Sequence, residues 1–175
     1  AINKEVKALW IIGEDVVQTD PNSAHVAQAM NALDLLVVQE IFMSETAKHA
    51  DVVLPGTTFL EKDGTFTNTE RRVQRVNKAA EPLPGTKPDG VIVTDMMKKL
   101  GYDQPTYDAD QVLAEIADIV PFFKGITRER LGKLGLQWPV KEDGTDTKIL
   151  HEKEFKLGKG RIKYFDWKES SEIEK

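Results

Sequence analysis

Short apolar runs alternate with helical patterns along the first third of the chain. The runs at 6–12, 35–39 and 51–54 read VKALWII, LLVVQ and DVVL, and each is nearly continuous in apolar residues. Strands buried on both faces have this composition. The pattern predicts three such strands, the first closed by Gly13 and the third by Pro55.

The segments between these runs carry helix signals. Asp20 and Pro21 predict a cap and a first helical position, and apolar residues then recur at helical spacing. They are Val26, Ala29, Met30 and Leu33. Ser44 can cap a short helix, ETAKHA, before the third strand. Strands alternating with helices are typical of parallel strands with crossover helices, so the predicted fold class is α/β, a Rossmann-like half.

Beyond residue 72 the pattern becomes helix-rich, and an α+β segment is predicted. The run NKAAEPLPGTKPDG reads as a surface loop. Helices are predicted over 90–100, from Asp110 to Pro121 and from Thr127 to Gly135, with an extended stretch at 160–167. We expect a parallel α/β segment at 1–72, a loop and helical segment at 73–150, and an extended tail at 151–175.

Composition narrows the function classes. The 175 residues are 40% apolar and 30% charged, as expected for a globular chain with a sizeable core. A net charge of -5 argues against broad nucleic-acid binding. The absence of cysteine excludes disulfides, thiolate nucleophiles and iron–sulfur ligation by this chain.

The ends of the chain and its apolar runs add expectations about location. No run approaches the ~20 apolar residues of a membrane span, and the start AINKEVKA has no signal-peptide pattern. We therefore expect no membrane span and a cytoplasmic location. Because the chain begins without methionine, almost directly before a strand, we also expect it to be a piece of a longer protein.

Polar residues follow each predicted strand. They are GEDVVQT at 13–19, QE at 39–40 and PGTTFLEKDGTFTN at 55–68. In an open parallel sheet, ligands bind outside the carboxyl ends of the strands. Gly13 would allow close approach of a ligand to the backbone, and Glu40 stands where an acid can accept from ribose hydroxyls. A GxGxxG fingerprint and a P-loop lysine are both absent.

Each of these signals also has a structural alternative. GED after a strand can be an ordinary turn and cap, and Glu40 can be a solvated strand end. The threonine-rich loop, EKDGTFTNTERR at 61–72, suggests a grip on an anionic group. It can equally be a hairpin that uses Gly64 for its turn, with Arg71 and Arg72 solvated.

Taken in their order along the chain, these segments resemble the sequences of a known protein family. The run VVQEIFMSETAKHADVVLPGTTFLEKDGTFTNTERRVQ is similar to a signature segment of the large catalytic subunits of molybdopterin oxidoreductases, the dimethyl-sulfoxide-reductase superfamily. GEDVVQTDPN and LGLQWPV, at 134–140, are most similar to the formate dehydrogenase alpha subunit. The resemblance covers nearly the whole chain.

The resemblance implies a cofactor and a set of residues that hold it. The family binds molybdenum or tungsten between two molybdopterin guanine dinucleotides. By the match, the guanine-nucleotide portion would be lined by Gly13, Glu14, Asp15 and Thr19, with Gln39 and Glu40 near its ribose or guanine. Further cofactor-contacting positions would be Gly56, Thr57 and Asp89, and the threonine-rich loop would cover the cofactor.

Two positions depart from the family pattern. Glu40 stands where many relatives have aspartate, which is one methylene shorter, and Gly90 stands where relatives often have tryptophan. The first departure changes the side chain that would contact the ribose, and the second changes the packing beside Asp89.

The resemblance also implies what this chain would do within a larger subunit. The expected parent is a formate dehydrogenase that interconverts formate and carbon dioxide. Its catalytic residues, metal ligand and iron–sulfur cluster would lie outside this chain, which would be inactive alone. The expected partners are the rest of the catalytic subunit and electron-transfer subunits. Two alternatives stay open: another molybdopterin oxidoreductase, such as a nitrate-reductase-like enzyme, and a nucleotide-binding or scaffold module without redox function.

Overall fold

The computed structural model describes residues 1–141, 143–155 and 157–169. Within this part, the chain forms two compact units. The first contains Ala1–Glu61 and Ala80–Pro105, and the second contains Lys62–Ala79 and Thr106–Trp167.

The first unit is built on three parallel strands, β1 (Ala8–Ile12), β2 (Leu35–Glu40) and β3 (Val52–Pro55). β2 lies in the middle, and both of its neighbours run parallel to it. The predicted α/β class and the three predicted strands are confirmed. Because all three strands are parallel, their carboxyl ends lie at one edge of the sheet.

Helices connect and flank these strands. They are α1 (Val16–Thr19), α2 (Ser23–Asn31), a 3-10 turn at Ala47–His49, and α3 (Asp89–Lys99). The predicted start of α2 at Asp20 and Pro21 is wrong, because Asn22 caps this helix with a side-chain oxygen that accepts from the His25 amide. Asn22 has a φ of 59°, a left-handed conformation that asparagine tolerates better than most residues.

The core of the first unit lies on one face of β2. Leu36 and Val38 are almost fully buried and pack with Met30 of α2 and Ala47. Leu36 and Val38 are two residues apart, so they point to the same face of the strand. Gln39 points to the opposite face.

The second unit contains an antiparallel sheet of β4 (Gly64–Thr67), β5 (Arg72–Val76) and β6 (Leu136–Gln137), in that order. β4 and β5 form a hairpin, so the hairpin alternative for the threonine-rich loop is confirmed. Its predicted turn at Gly64 is wrong, because Gly64 begins β4. The turn lies at 68–71, where the Asn68 side-chain oxygen accepts from the amides of Glu70 and Arg72.

Two helices, α4 (Ala109–Ile119) and α5 (Arg128–Leu131), complete the second unit. Asp108 caps α4 by accepting from the amides of Asp110 and Gln111, so the predicted cap at Asp110 is two residues late. The predicted start of α5 near Thr127 is confirmed, and Thr127 caps this helix, which ends at Leu131 and does not extend towards Gly135. The core consists of Val73, Leu113, Ile126 and Leu131.

The predicted extended stretch at 160–167 forms no strand. Among the residues that the structure describes, no helix has the length and apolar character needed to cross a membrane.

Candidate functional site

Backbone hydrogen bonds join the three strand ends into one polar edge of the first unit. The Gly13 amide donates to the Gln39 carbonyl at 2.9 Å, and the Gly56 amide donates to the Glu40 carbonyl at 3.1 Å. The bonds extend the strand pairing by one residue on each side of β2. The structure therefore brings together the polar residues that the sequence places after each strand.

Gln39 is a buried polar side chain at this edge, with 1% of its surface exposed. Its amide nitrogen donates to Asp89 Oδ1 at 2.8 Å. A carboxylate only accepts, so this bond fixes which end of the Gln39 amide is the nitrogen. Gln39 Oε1 is buried and has no donor within the described part of the chain. A buried acceptor without a donor is costly, so it marks a place where a ligand can supply an N–H or O–H group.

Gly56 allows the Asp89 carboxylate to approach the end of β3. A Cβ atom at position 56 would stand 2.9 Å from Asp89 Oδ1 and 3.8 Å from the Ile41 side chain. The first distance is shorter than real Cβ contacts allow, so only glycine fits beside the carboxylate in its present place. Thr57, the next residue, is also buried, at 2% exposure. We call Gln39, Gly56 and Asp89 the acceptor cluster.

Asp15 connects the loop after β1 with the loop after β2. Its Oδ1 accepts from the Thr46 amide at 2.8 Å and from the Thr46 hydroxyl at 2.7 Å, and its Oδ2 accepts from the Glu45 amide at 3.3 Å. Asp15 precedes α1, but its side chain makes no capping bond to that helix. The turn-and-cap alternative for GED is therefore confirmed for the backbone, since Asp15 is the N-cap residue of α1, but its carboxylate turns to another loop.

The electrostatics of Asp15 favour the charged form. The hydrogen bond from the Thr46 hydroxyl is the main cause that lowers the pKa of this carboxyl. The amides of Thr46 and Glu45 and the Lys48 ammonium act in the same direction, while partial burial opposes them. Asp15 is thus a carboxylate held in place by its donors.

The remaining predicted carboxylates accept local bonds at the same edge. Glu14 accepts from the Thr19 hydroxyl at 3.1 Å, and both residues are exposed. Glu40 is half-buried, and its Oε1 accepts from the Ile41 amide at 2.7 Å. These bonds hold the side chains of Glu14 and Glu40 close to the strand ends from which they start.

Thr46 is a residue of this edge that sequence reasoning missed. It is fully buried, and its hydroxyl accepts from the Val17 amide at 3.0 Å while donating to Asp15. The only sequence signal was its position in the SETA run after β2. That run predicts a short helix capped by Ser44, and the Ser44 hydroxyl does accept from the Ala47 amide. The prediction gave no role to Thr46.

The arginines of the threonine-rich loop have partners within the second unit. The Arg71 guanidinium donates to the carbonyl of Trp138 and, at 3.1 Å and 3.0 Å, to those of Thr147 and Lys148. Arg72 pairs with Glu70 at 3.1 Å. The alternative in which these arginines are solvated is wrong, because both guanidinium groups hold parts of their own unit together.

The arrangement at the sheet edge is suited to binding and less suited to metal coordination. Within residues 1–141, 143–155 and 157–169, no group of three or more His, Cys, Asp or Glu side chains could hold a metal ion. The edge instead combines oriented acceptors with two glycines, Gly13 and Gly56. Such a set can hold a polar organic group that carries N–H or O–H donors.

Comparisons with known proteins give this chain a family context. The family model described as molybdopterin oxidoreductase matches residues 1–99. The F420-dependent formate dehydrogenase subunit alpha of Methanocaldococcus jannaschii is 45% identical over 175 residues, covering 97% of this chain. A protein of Staphylococcus haemolyticus with the provisional name formate dehydrogenase is 44% identical over 164 residues, covering 93% of this chain.

The likeness is to one part of much longer proteins. This chain spans 26% of the length of the M. jannaschii subunit and 17% of the S. haemolyticus protein. Among solved structures, acetylene hydratase from Pelobacter acetylenicus superimposes with a TM-score of 0.57 at 23% identity, over 70% of this chain and 17% of that one. At that identity the likeness concerns the fold alone.

Proposed function

This chain belongs to the molybdopterin oxidoreductase family, and from that membership we propose that its polar sheet edge holds the guanine-nucleotide part of molybdopterin guanine dinucleotide. The family implies a molybdopterin cofactor. The dinucleotide form, and the place where its guanine end lies, are the content of the proposal.

The observation that carries this proposal is the orientation of the Gln39 amide. Its Oε1 is a buried acceptor, and the Asp89 carboxylate beside it is a second acceptor. Guanine offers two neighbouring donors, the N1–H and the 2-amino group, which suit a pair of acceptors. Adenine offers an acceptor at N1, which would face the carboxylate or the amide oxygen unfavourably. The acceptor cluster thus favours guanine.

The other predicted residues fit the rest of a nucleotide. Gly13 has a φ of 62°, and no described atom lies within 4 Å of the place where its Cβ would stand, so a ligand can approach the backbone there. Glu14, Asp15 and Glu40 supply acceptors for ribose hydroxyls, and Thr19 and Thr57 supply hydroxyl groups. These residues would bind and orient the nucleotide end.

The proposed reaction of the parent subunit is based on the names of its relatives. The named relatives are formate dehydrogenases, and we extend that activity to the parent of this chain: interconversion of formate and carbon dioxide, with electron transfer to partner subunits. When bound, the cofactor supplies a redox-active molybdenum or tungsten ion. No residue of this chain is assigned a catalytic role, and this segment holds the nucleotide end in place.

The proposal is tested in the full-length subunit with the variant Gln39→Leu. Leucine has a similar volume but offers no acceptor. We expect a purified variant with several-fold less guanine nucleotide per polypeptide, measured as GMP released by acid, and a parallel loss of molybdenum or tungsten measured by mass spectrometry.

The matched control is Gln28→Leu, which makes the same change at an exposed position of α2 in the same unit. It should leave both contents at the wild-type level. Equal GMP content in wild type and Gln39→Leu would contradict the assignment of the guanine to this edge.

A further inference from the structure

Thr46 links two segments that are distant in sequence. Its amide and hydroxyl both donate to Asp15 Oδ1, and its hydroxyl also accepts from the Val17 amide. Asp15 and Thr46 are separated by 31 positions. One buried side chain therefore fastens the loop after β1 to the loop after β2.

Thr46 itself has no surface through which to touch a ligand. Its exposure is 0%, and its hydroxyl makes one bond as donor and one as acceptor. Any effect of Thr46 on binding must pass through the residues it holds, which are Asp15 and Val17. A residue of this kind positions others.

The link gives the loop after β1 a second attachment to the rest of the edge. The loop after β1 is attached to β2 by the bond from the Gly13 amide to the Gln39 carbonyl. Gly13 is in a left-handed conformation that glycine reaches easily, so the backbone beyond it can turn. The second attachment, through Asp15 and Thr46, limits that freedom and fixes where Glu14 and Asp15 lie.

We propose that Thr46 is a positioning residue for the nucleotide: by locking the loop after β1 to the loop after β2, it holds the edge in its binding shape before the ligand arrives. This inference rests on the proposed function. Thr46 would order the loop after β1 before the ligand binds, so the free energy of binding would not include the cost of ordering that loop. Loss of the hydroxyl should therefore weaken binding without removing any ligand contact.

The test compares Thr46→Val with Thr46→Ser in the full-length subunit. Valine keeps the shape and removes the hydroxyl, while serine keeps the hydroxyl. We expect Thr46→Val to release its guanine-nucleotide cofactor about tenfold faster during gel filtration, with GMP per polypeptide as the readout. Thr46→Ser should restore retention. Thr46→Cys, with a weaker donor and acceptor, is a milder second variant that should fall between them.

A core variant separates positioning from general loss of stability. Leu36→Val removes buried volume at the start of β2, away from the strand ends, and should unfold more easily while keeping its cofactor. Equal losses in Leu36→Val and Thr46→Val, or wild-type retention in Thr46→Val, would overturn the positioning role. A wild-type subunit that carries no guanine nucleotide would instead overturn the proposed function on which this role depends.

Discussion

Gln39 and Gln137 are two nearly buried glutamines at strand ends, one in each unit, and their surroundings differ. The Gln137 amide nitrogen donates to the Glu70 carbonyl at 3.0 Å and to Glu70 Oε2 at 3.3 Å. The Gln39 amide nitrogen has its partner in Asp89, but its oxygen is left without a donor in the described part of the chain. The amide of Gln137 thus joins two segments of its own unit, whereas the amide of Gln39 has an oxygen that is still able to accept a hydrogen bond.

The contrast extends to the charged groups around each glutamine. In the second unit, Arg71 and Arg72 satisfy carbonyls and carboxylates of their own unit. In the first unit, the buried Gln39 Oε1 has no donor within the described part of the chain, a state that a folded chain keeps only at a cost. What distinguishes a candidate site here is therefore the unmet hydrogen-bonding capacity of buried groups, since polar residues are plentiful in both units.

The largest expected effect concerns Arg71. A small effect would contradict the contrast between the two units. Arg71→Met removes a guanidinium that serves three carbonyl groups, so the free energy of unfolding should fall by about 3 kcal/mol. Urea denaturation followed by circular dichroism measures it. Arg75→Met, at an exposed position of β5, is the control and should change the free energy by less than about 0.5 kcal/mol.

The second prediction compares the two glutamines directly. Gln137→Leu should lower the free energy of unfolding by about 2 kcal/mol, because it removes both bonds to Glu70. Gln39→Leu should cost less than about 1 kcal/mol, because the lost bond to Asp89 is offset by removal of an acceptor that had no donor. The same urea experiment decides, and a larger cost for Gln39→Leu would mean that its amide serves stability first.

Gly56 provides a third and smaller effect. In Gly56→Ala, the new methyl group would crowd the Asp89 carboxylate, so we expect a loss of about 1 kcal/mol and reduced nucleotide retention in the full-length subunit. Gly64→Ala is the matched control, since no described atom lies within 4 Å of the added methyl. Thermal unfolding of both variants tests this, and similar melting curves would show that Asp89 moves aside without strain.

The smallest expected effect is on the acid sensitivity of the first unit. The pKa of Asp15 is lowered in the folded chain, chiefly by the Thr46 hydroxyl. Its contribution to stability is therefore complete above about pH 4, the ordinary value for aspartate, and is lost as pH falls through the lowered pKa. Unfolding measured between pH 2 and 6 should show a shallower acid loss in Asp15→Asn than in wild type. Asp20→Asn, at an exposed position, should follow the wild-type curve.

The strands could be predicted from the sequence because their signal is local. Continuous apolar runs of five to seven residues placed β1 and β2 within two residues of their observed bounds, and Pro55 ends β3. The polar residues after each strand were predictable for the same reason. Parallel pairing then places them at a common edge, so topology was enough to expect Gln39 and Gly56 there. Asp89 lies at the start of α3, and only the family resemblance pointed to it.

The remaining features depend on contacts between distant residues. The bond from the Thr46 hydroxyl to Asp15 and the bonds from Arg71 to the carbonyls of Thr147 and Lys148 join segments that no local pattern connects. The capping residues were misplaced because Asp20 and Asp110 are as suitable in type as Asn22 and Asp108, and backbone geometry decides between them. The hairpin turn was misplaced because it is stabilised by the Asn68 side chain, which accepts two backbone bonds, and it does not use a glycine.

The bond between Asp15 and Thr46 also bears on the register in which β1 and β2 pair. In the native pairing Ile12 lies opposite Gln39, which places the two following loops side by side. A slip of one residue would turn every side chain of the strand to the opposite face and carry Asp15 away from its donors. The bond between the carboxylate and the buried hydroxyl can therefore form only in the native register, and it stabilises that register over a slipped one.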